Sequence, residues 1–186
     1  MKIIAIGGEP GSGKSTMMKE LMEGKLWRFE SEYPLVPYYV CGDVIVLGKY
    51  EDDGYAQGTD KMSMACQPKV IEFLKTLRDD IIVMFEGDRL FSPSFLEHCV
   101  ENYDTQIVIL RTEKDVRTNR YEERGSSQNL TWLTGRETKI SNIRNNFLLR
   151  FNITQMDNNN FEEQKDTLLF LRKMIYGEEN NGMVGP

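Results

Sequence analysis

Gly8-Glu9-Pro10-Gly11-Ser12-Gly13-Lys14-Ser15 is a G-x-x-x-x-G-K-[ST] loop, and the rest of the chain is read outward from it. A phosphate chain needs several backbone N–H donors aimed at it, and glycines let the main chain come close enough. A helix that follows adds its unpaired N–H groups and the positive end of its dipole. The motif implies that Lys14 reaches the β- and γ-phosphates of a nucleoside triphosphate and that the Ser15 hydroxyl ligates Mg²⁺. The expected phosphate cradle is Gly8, Glu9, Pro10, Gly11, Ser12, Gly13, Lys14, Ser15 and Thr16. The flanks agree. Residues 2–6 are a short apolar strand. Residues 15–22 carry Met17, Met18, Leu21 and Met22 on one helical stripe, read as core.

The 186 residues suffice for one domain with its own core. Apolar residues make up 40% and charged residues 28%, an ordinary globular balance. Cys41, Cys66 and Cys99 are odd in number and form no C-x-x-C pair, so neither a disulfide framework nor a zinc site is expected. That usage fits a reducing, cytoplasmic setting. His98 lies in a polar helical stretch and reads as a surface residue. A strand that begins at residue 2 leaves no room for a signal peptide, and no apolar run is long enough for a membrane span. Charge is uneven. Residues 111–150 hold nine Lys or Arg against five Asp or Glu, a local +4, which leaves −10 on the rest of a chain whose total is −6. An acidic chain has no general attraction for nucleic acid, but a local basic segment focuses an anionic ligand on one spot.

Residues 23–37, with Pro34 and Pro37, read as a connection. Residues 38–50 read as a hairpin about Gly42-Asp43. Residues 51–63 form a long polar loop, and helices are expected at 70–77, 94–99, 114–124, 139–149 and 161–176. The runs 81–85 and 106–110 are continuous apolar segments of strand length, and 151–156 is a further strand. Strands alternating with helices imply a parallel sheet covered on both faces, with ligands beyond the carboxyl ends of the strands. The expected layout is a single domain over 1–176 with an acceptor-side insert at about 30–68 and a lid at about 112–138, followed by a flexible tail over 177–186.

Phosphoryl transfer needs a cradle, a metal, an acceptor in line, and cations over the transferring group. Glu86 and Asp88 end the central strand beside the loop. Either one holds Mg²⁺ or takes a proton from an acceptor hydroxyl, or the two form a solvated acidic turn. Arg117, Arg120 and Arg124 are spaced by three and four, so they share one helix face. That face suits a triphosphate, although neighbouring acids would also suit a salt-bridged surface helix.

These three features together resemble the nucleoside-monophosphate-kinase-like superfamily of P-loop kinases over residues 1–25 and 80–176. The resemblance implies a three-layer α/β/α P-loop NTPase fold, ATP and Mg²⁺, a helical lid carrying the three arginines, and a base contact after the last strand. Asp157-Asn158-Asn159-Asn160 stands in that last place and departs from the usual pattern. Residues 58–63 (GTDKMS) and 135–139 (GRETK) are similar to segments of small phage-encoded kinases, which include enzymes proposed to phosphorylate 5-hydroxymethyluracil in phage DNA.

Between Arg28 and Arg78 there is no arginine, whereas Tyr38, Tyr39, Tyr50, Tyr55, Asp43, Asp52, Asp53 and Asp60 all lie there. A phosphate acceptor normally needs guanidinium clamps; aromatics stack a base, and a carboxylate takes a proton from a hydroxyl. The tyrosines equally suit a plain hairpin. The expected function is transfer of the γ-phosphate of ATP to an acceptor hydroxyl on a nucleotide or a modified DNA base. Lys14, Asp60, Glu86, Asp88, Arg117, Arg120 and Arg124 are the catalytic candidates, and Ser15, Glu86 and Asp88 the metal ligands. The alternatives are a nucleoside monophosphate kinase, and a P-loop NTPase motor or switch with no acceptor.

Overall fold

The N-terminal apolar run becomes the middle of the sheet. In the computed structural model, which describes residues 1–51, 57–123, 125 and 129–177, the elements in order are β1 (Lys2–Gly8), α1 (Lys14–Met22), β2 (Arg28–Glu30), β3 (Tyr38–Cys41), β4 (Val44–Leu47), α2 (Cys66–Leu74), β5 (Ile82–Glu86), α3 (Pro93–Asn102), β6 (Asp104–Arg111), α4 (Lys114–Glu123), α5 (Leu130–Arg144), β7 (Ile153–Asp157) and α6 (Phe161–Tyr176). Arg124, the loop residues Asp52, Asp53, Gly54, Tyr55 and Ala56, and the tail from 178 lie outside the described residues.

The sheet runs β2-β3-β4-β5-β1-β6-β7. β4, β5, β1, β6 and β7 are mutually parallel, and β2 and β3 add an antiparallel edge. Parallel strands buried on both faces read as unbroken apolar runs, which is why Ile3 to Ile6 are all fully buried. Alternation divides them between two layers. Ile3 and Ala5 join Val83, Phe85, Ile107 and Ile109 under α2, α3 and the second half of α5. Ile4 and Ile6 join Met84, Val108 and Leu110 under α1 and α6. Met17 and Met18 are fully buried there, so the methionine stripe is core. Each such side chain contributes about 1.5–3 kcal/mol of burial energy.

Register places the chemistry. Ile6 pairs with Glu86 and Gly8 with Leu110, so the glycine loop and the acidic strand end leave the same edge side by side. The hairpin is present, with Gly42 at φ 58° in its two-residue turn, and its second arm continues the main sheet alongside β5.

Several boundaries differ from the sequence expectation: α2 spans Cys66–Leu74 where 70–77 is expected and α3 spans Pro93–Asn102 where 94–99 is expected, and three differences bear on the site. The segment 23–37 contains β2, whose three residues pair with β3. α5 begins at Leu130, nine residues before the expected start, because the Asn129 side chain accepts from Thr131 N and caps it. It ends at Arg144, well short of 149, where Asn146 folds back: its N–H donates to Ile143 O, and its side chain accepts from Leu148 N at 2.9 Å. Among the described residues no helix is long and apolar enough to cross a membrane.

Candidate active site

The loop after β1 turns into α1 through Gly13, at φ 92°, where a Cβ would meet Asn158 Nδ2 at 2.5 Å. Only glycine tolerates that backbone in that space. Lys14 Nζ donates to the carbonyls of Gly8 and Glu9, both at 3.1 Å, so its ammonium lies over the cradle. From behind, the loop is held by residues a hundred or more positions away. Asn158 Nδ2 donates to Ser12 O at 2.6 Å, Thr112 Oγ1 donates to the same carbonyl at 3.4 Å, and Arg120 Nη1 donates to Gly11 O at 3.1 Å. The Ser12 hydroxyl is buried with no partner.

Glu86 closes β5 and is almost wholly buried. One carboxylate oxygen accepts from the Ser15 hydroxyl at 3.1 Å, and its main-chain carbonyl accepts from Thr59 Oγ1 at 2.8 Å. Burial pushes the carboxyl up to about 7, against the pull of Lys14. Tyr50 lies buried beside it; burial and the Glu86 charge hold its phenol well above the usual range, although its hydroxyl closes no well-formed hydrogen bond. A serine hydroxyl and a buried carboxylate already in contact fit a hard divalent cation, and a cation there would draw the carboxyl back down.

Asp60 stands in a turn of 3₁₀ helix, Thr59–Lys61, and accepts from Asp88 N at 2.5 Å. Burial raises its carboxyl above the usual range. Asp88 faces the other way, onto α5. Arg136 pairs with one carboxylate oxygen and Lys139 with the other at 3.1 Å, and Lys139 also donates to Asp88 O at 3.0 Å. Lys14, Asp60, Asp88, Phe91, Trp132 and Arg136 line one cleft of about 470 Å³.

The expected arginine face divides. Arg117 donates to Glu137 of α5 at 3.1 Å. Arg120 spans Gly11 O and Asn158 O, the latter at 3.0 Å, beside the cradle. Arg124 lies outside the described residues. Thr16 is exposed on α1. The structure thus brings Lys14, Ser15, Glu86, Asp60 and Asp88 to one strand edge. Three groups near them were missed as site residues in the sequence. Thr59 and Asn158 carry no spacing signal. Lys139 does, since it follows Arg136 by three on a helix. Of the acceptor-side tyrosines, Tyr38 and Tyr39 pack in the edge of the sheet, with ring centroids 4.9 Å from Phe73 and 5.0 Å from Phe29, and Tyr55 lies outside the described residues.

A glycine loop between a central strand and a helix, a carboxylate ending the adjacent strand, and a two-helix cover define a P-loop kinase. Residues 1–156 match the model of the family described as P-loop Nucleotide Kinase3, and the chain belongs to that family. Among solved structures it is similar to a gluconokinase from Sinorhizobium meliloti 1021, with 15% identity over 96% of this chain and 98% of that one and a TM-score of 0.50. It is also similar to an uncharacterized protein from Eubacterium ventriosum ATCC 27560, at 18% identity over 95% and 98% of the two chains and a TM-score of 0.48. At 15% identity the likeness to the gluconokinase is one of fold. Among curated proteins nothing matches.

Proposed function

We propose that this kinase moves the γ-phosphate of ATP to a hydroxyl seated in the cleft, on a nucleotide or on a modified base in DNA such as 5-hydroxymethyluracil. The observation that carries the reading is the cleft itself. Among the described residues two carboxylates, Asp60 and Asp88, share it with Lys14, and its one guanidinium, Arg136, is already neutralised by Asp88. Such a wall disfavours a phosphate as the group attacked and favours a neutral hydroxyl. Trp132 and the buried Phe91 supply flat apolar walls for a ring.

In this scheme Lys14 exchanges the Gly8 and Glu9 carbonyls for phosphate oxygens, and its charge follows the transferring group. Ser15 and Glu86 would hold Mg²⁺, which neutralises charge on the β- and γ-phosphates. Asp60, whose carboxyl sits above the usual range, accepts the proton of the attacking hydroxyl. Asp88, anchored by Arg136 and Lys139, fixes the lid helix against the acceptor. The gluconokinase that shares this fold is itself named for an acceptor that is not a nucleoside monophosphate.

The test is a screen with γ-labelled ATP against nucleosides, nucleoside monophosphates, and DNA with and without 5-hydroxymethyluracil. Label on a hydroxyl is the expected result. Efficient formation of a new diphosphate from a monophosphate would assign a monophosphate kinase instead. ATP hydrolysis indifferent to every acceptor would assign a motor or switch.

A further inference from the structure

α5 forms a wall of two depressions. Arg136 lines the cleft, while its neighbour Glu137 lines a shallower groove of about 870 Å³ between α4, α5 and Glu9 of the loop. Three cations face this groove, Lys114, Arg117 and Arg144, together with Ser141 and Asn142. Of its two acids, Glu137 is engaged by Arg117. Lys114 and Arg144 make no ion pair among the described residues. Arg117 is almost buried, and only one edge of its guanidinium is used: Nη2 donates to Glu137, and Nε is enclosed with no partner. A guanidinium edge with an unfilled N–H suits an oxyanion. The groove thus gathers cations from the one basic segment of an acidic chain.

The acceptor side, by contrast, has no arginine from 29 to 77 with which to clamp a phosphate. We propose that the α4–α5 groove is a phosphate subsite. It seats a phosphate that the acceptor carries elsewhere on its frame, while the acceptor's hydroxyl lies in the cleft on the other side of α5. The ligand class is a phosphate-bearing nucleotide unit, held through a monoester or a diester. This rests on the kinase reading of the cleft.

The experiment is calorimetric binding in the presence of a saturating non-hydrolysable ATP analogue and Mg²⁺. The probes are thymidine, thymidine 5′-monophosphate and the dinucleotide TpT, titrated into wild type and into Lys114→Ala/Arg144→Ala. Two charge-assisted contacts should make the phosphate-bearing probes bind about tenfold or more tighter than thymidine, an advantage that shrinks with added salt. In the double variant the advantage should fall to about twofold or less, with affinity for the ATP analogue unchanged. Preference for TpT assigns the site to a strand, and preference for the monophosphate to a free nucleotide. Equal or absent binding of the three probes, an advantage that survives the double variant, or a loss of analogue affinity in that variant would each overturn the proposal. Because the readout needs no turnover, groove-dependent binding without phosphorylation of any acceptor would count against the kinase reading and leave the subsite standing.

Discussion

Gly58 has no side chain because Glu86 occupies the space. A Cβ there would fall against the Glu86 carboxylate, and its φ of +62° strains any L residue. Gly58→Ala should therefore cost about 1–3 kcal/mol by denaturant unfolding and reduce turnover strongly, since the buried Glu86 carboxylate must move. Glu86 also gives the free protein a pH signature. Its carboxyl titrates near 7 when folded and near 4.5 when unfolded, so the folded state holds its proton longer. The associated stability is complete below the unfolded value and is lost as pH rises through 7. Without Mg²⁺ and nucleotide, wild type should lose on the order of 3 kcal/mol more than Glu86→Gln between pH 4.5 and 8. Urea midpoints at the two pH values measure this, and parallel profiles would show that burial does not control the group. Lys14→Ala should leave the fold intact and abolish transfer at saturating ATP, as the role proposed for its ammonium requires.

At the scale of elements, α4 and α5 are tied to the catalytic edge by different contacts. Arg120 grips the loop carbonyl of Gly11, so Arg120→Ala should raise the KM for ATP. Removing Lys139 or Arg136 frees Asp88, and steady-state kinetics should show the loss in kcat/KM for the acceptor with little change in the KM for ATP. What was legible here had short-range causes. The loop from Gly8 to Ser15, the apolar strands and the Glu86 strand end all announce themselves in consecutive residues. β2 did not, because two of its three residues are exposed and their pairing partners lie eight to twelve positions on. α5 starts nine residues before the expected 139 and runs through Gly135, with Asn129 as its cap; Asn129→Ala should cost about 1 kcal/mol. Nothing local could pair Arg120 with a carbonyl 109 residues earlier, or Asp88 with a helix 48 residues on. Side chains that meet only through the sheet's crossovers leave no period in the sequence.

For the molecule as a whole, nucleotide binding and folding are linked, because the cradle exists only in the folded sheet. At a hundredfold excess over its Kd, MgATP should add about 2.7 kcal/mol and raise the melting temperature by roughly 5–11 °C, and Lys14→Ala should blunt the rise. The strand order has another consequence, which concerns how the protein is made. β1 lies between β5 and β6, so once made it has no neighbours in the sheet until residues 82–111 have been synthesised. At ordinary translation rates that is a wait of about 5–20 s, with Ile3, Ile4 and Ile6 unburied. A nascent chain stopped near residue 80 should stay protease-sensitive and hold on to chaperones, and one stopped beyond β7 should let them go. The glycine loop is thus translated well before the strands that give it a shape.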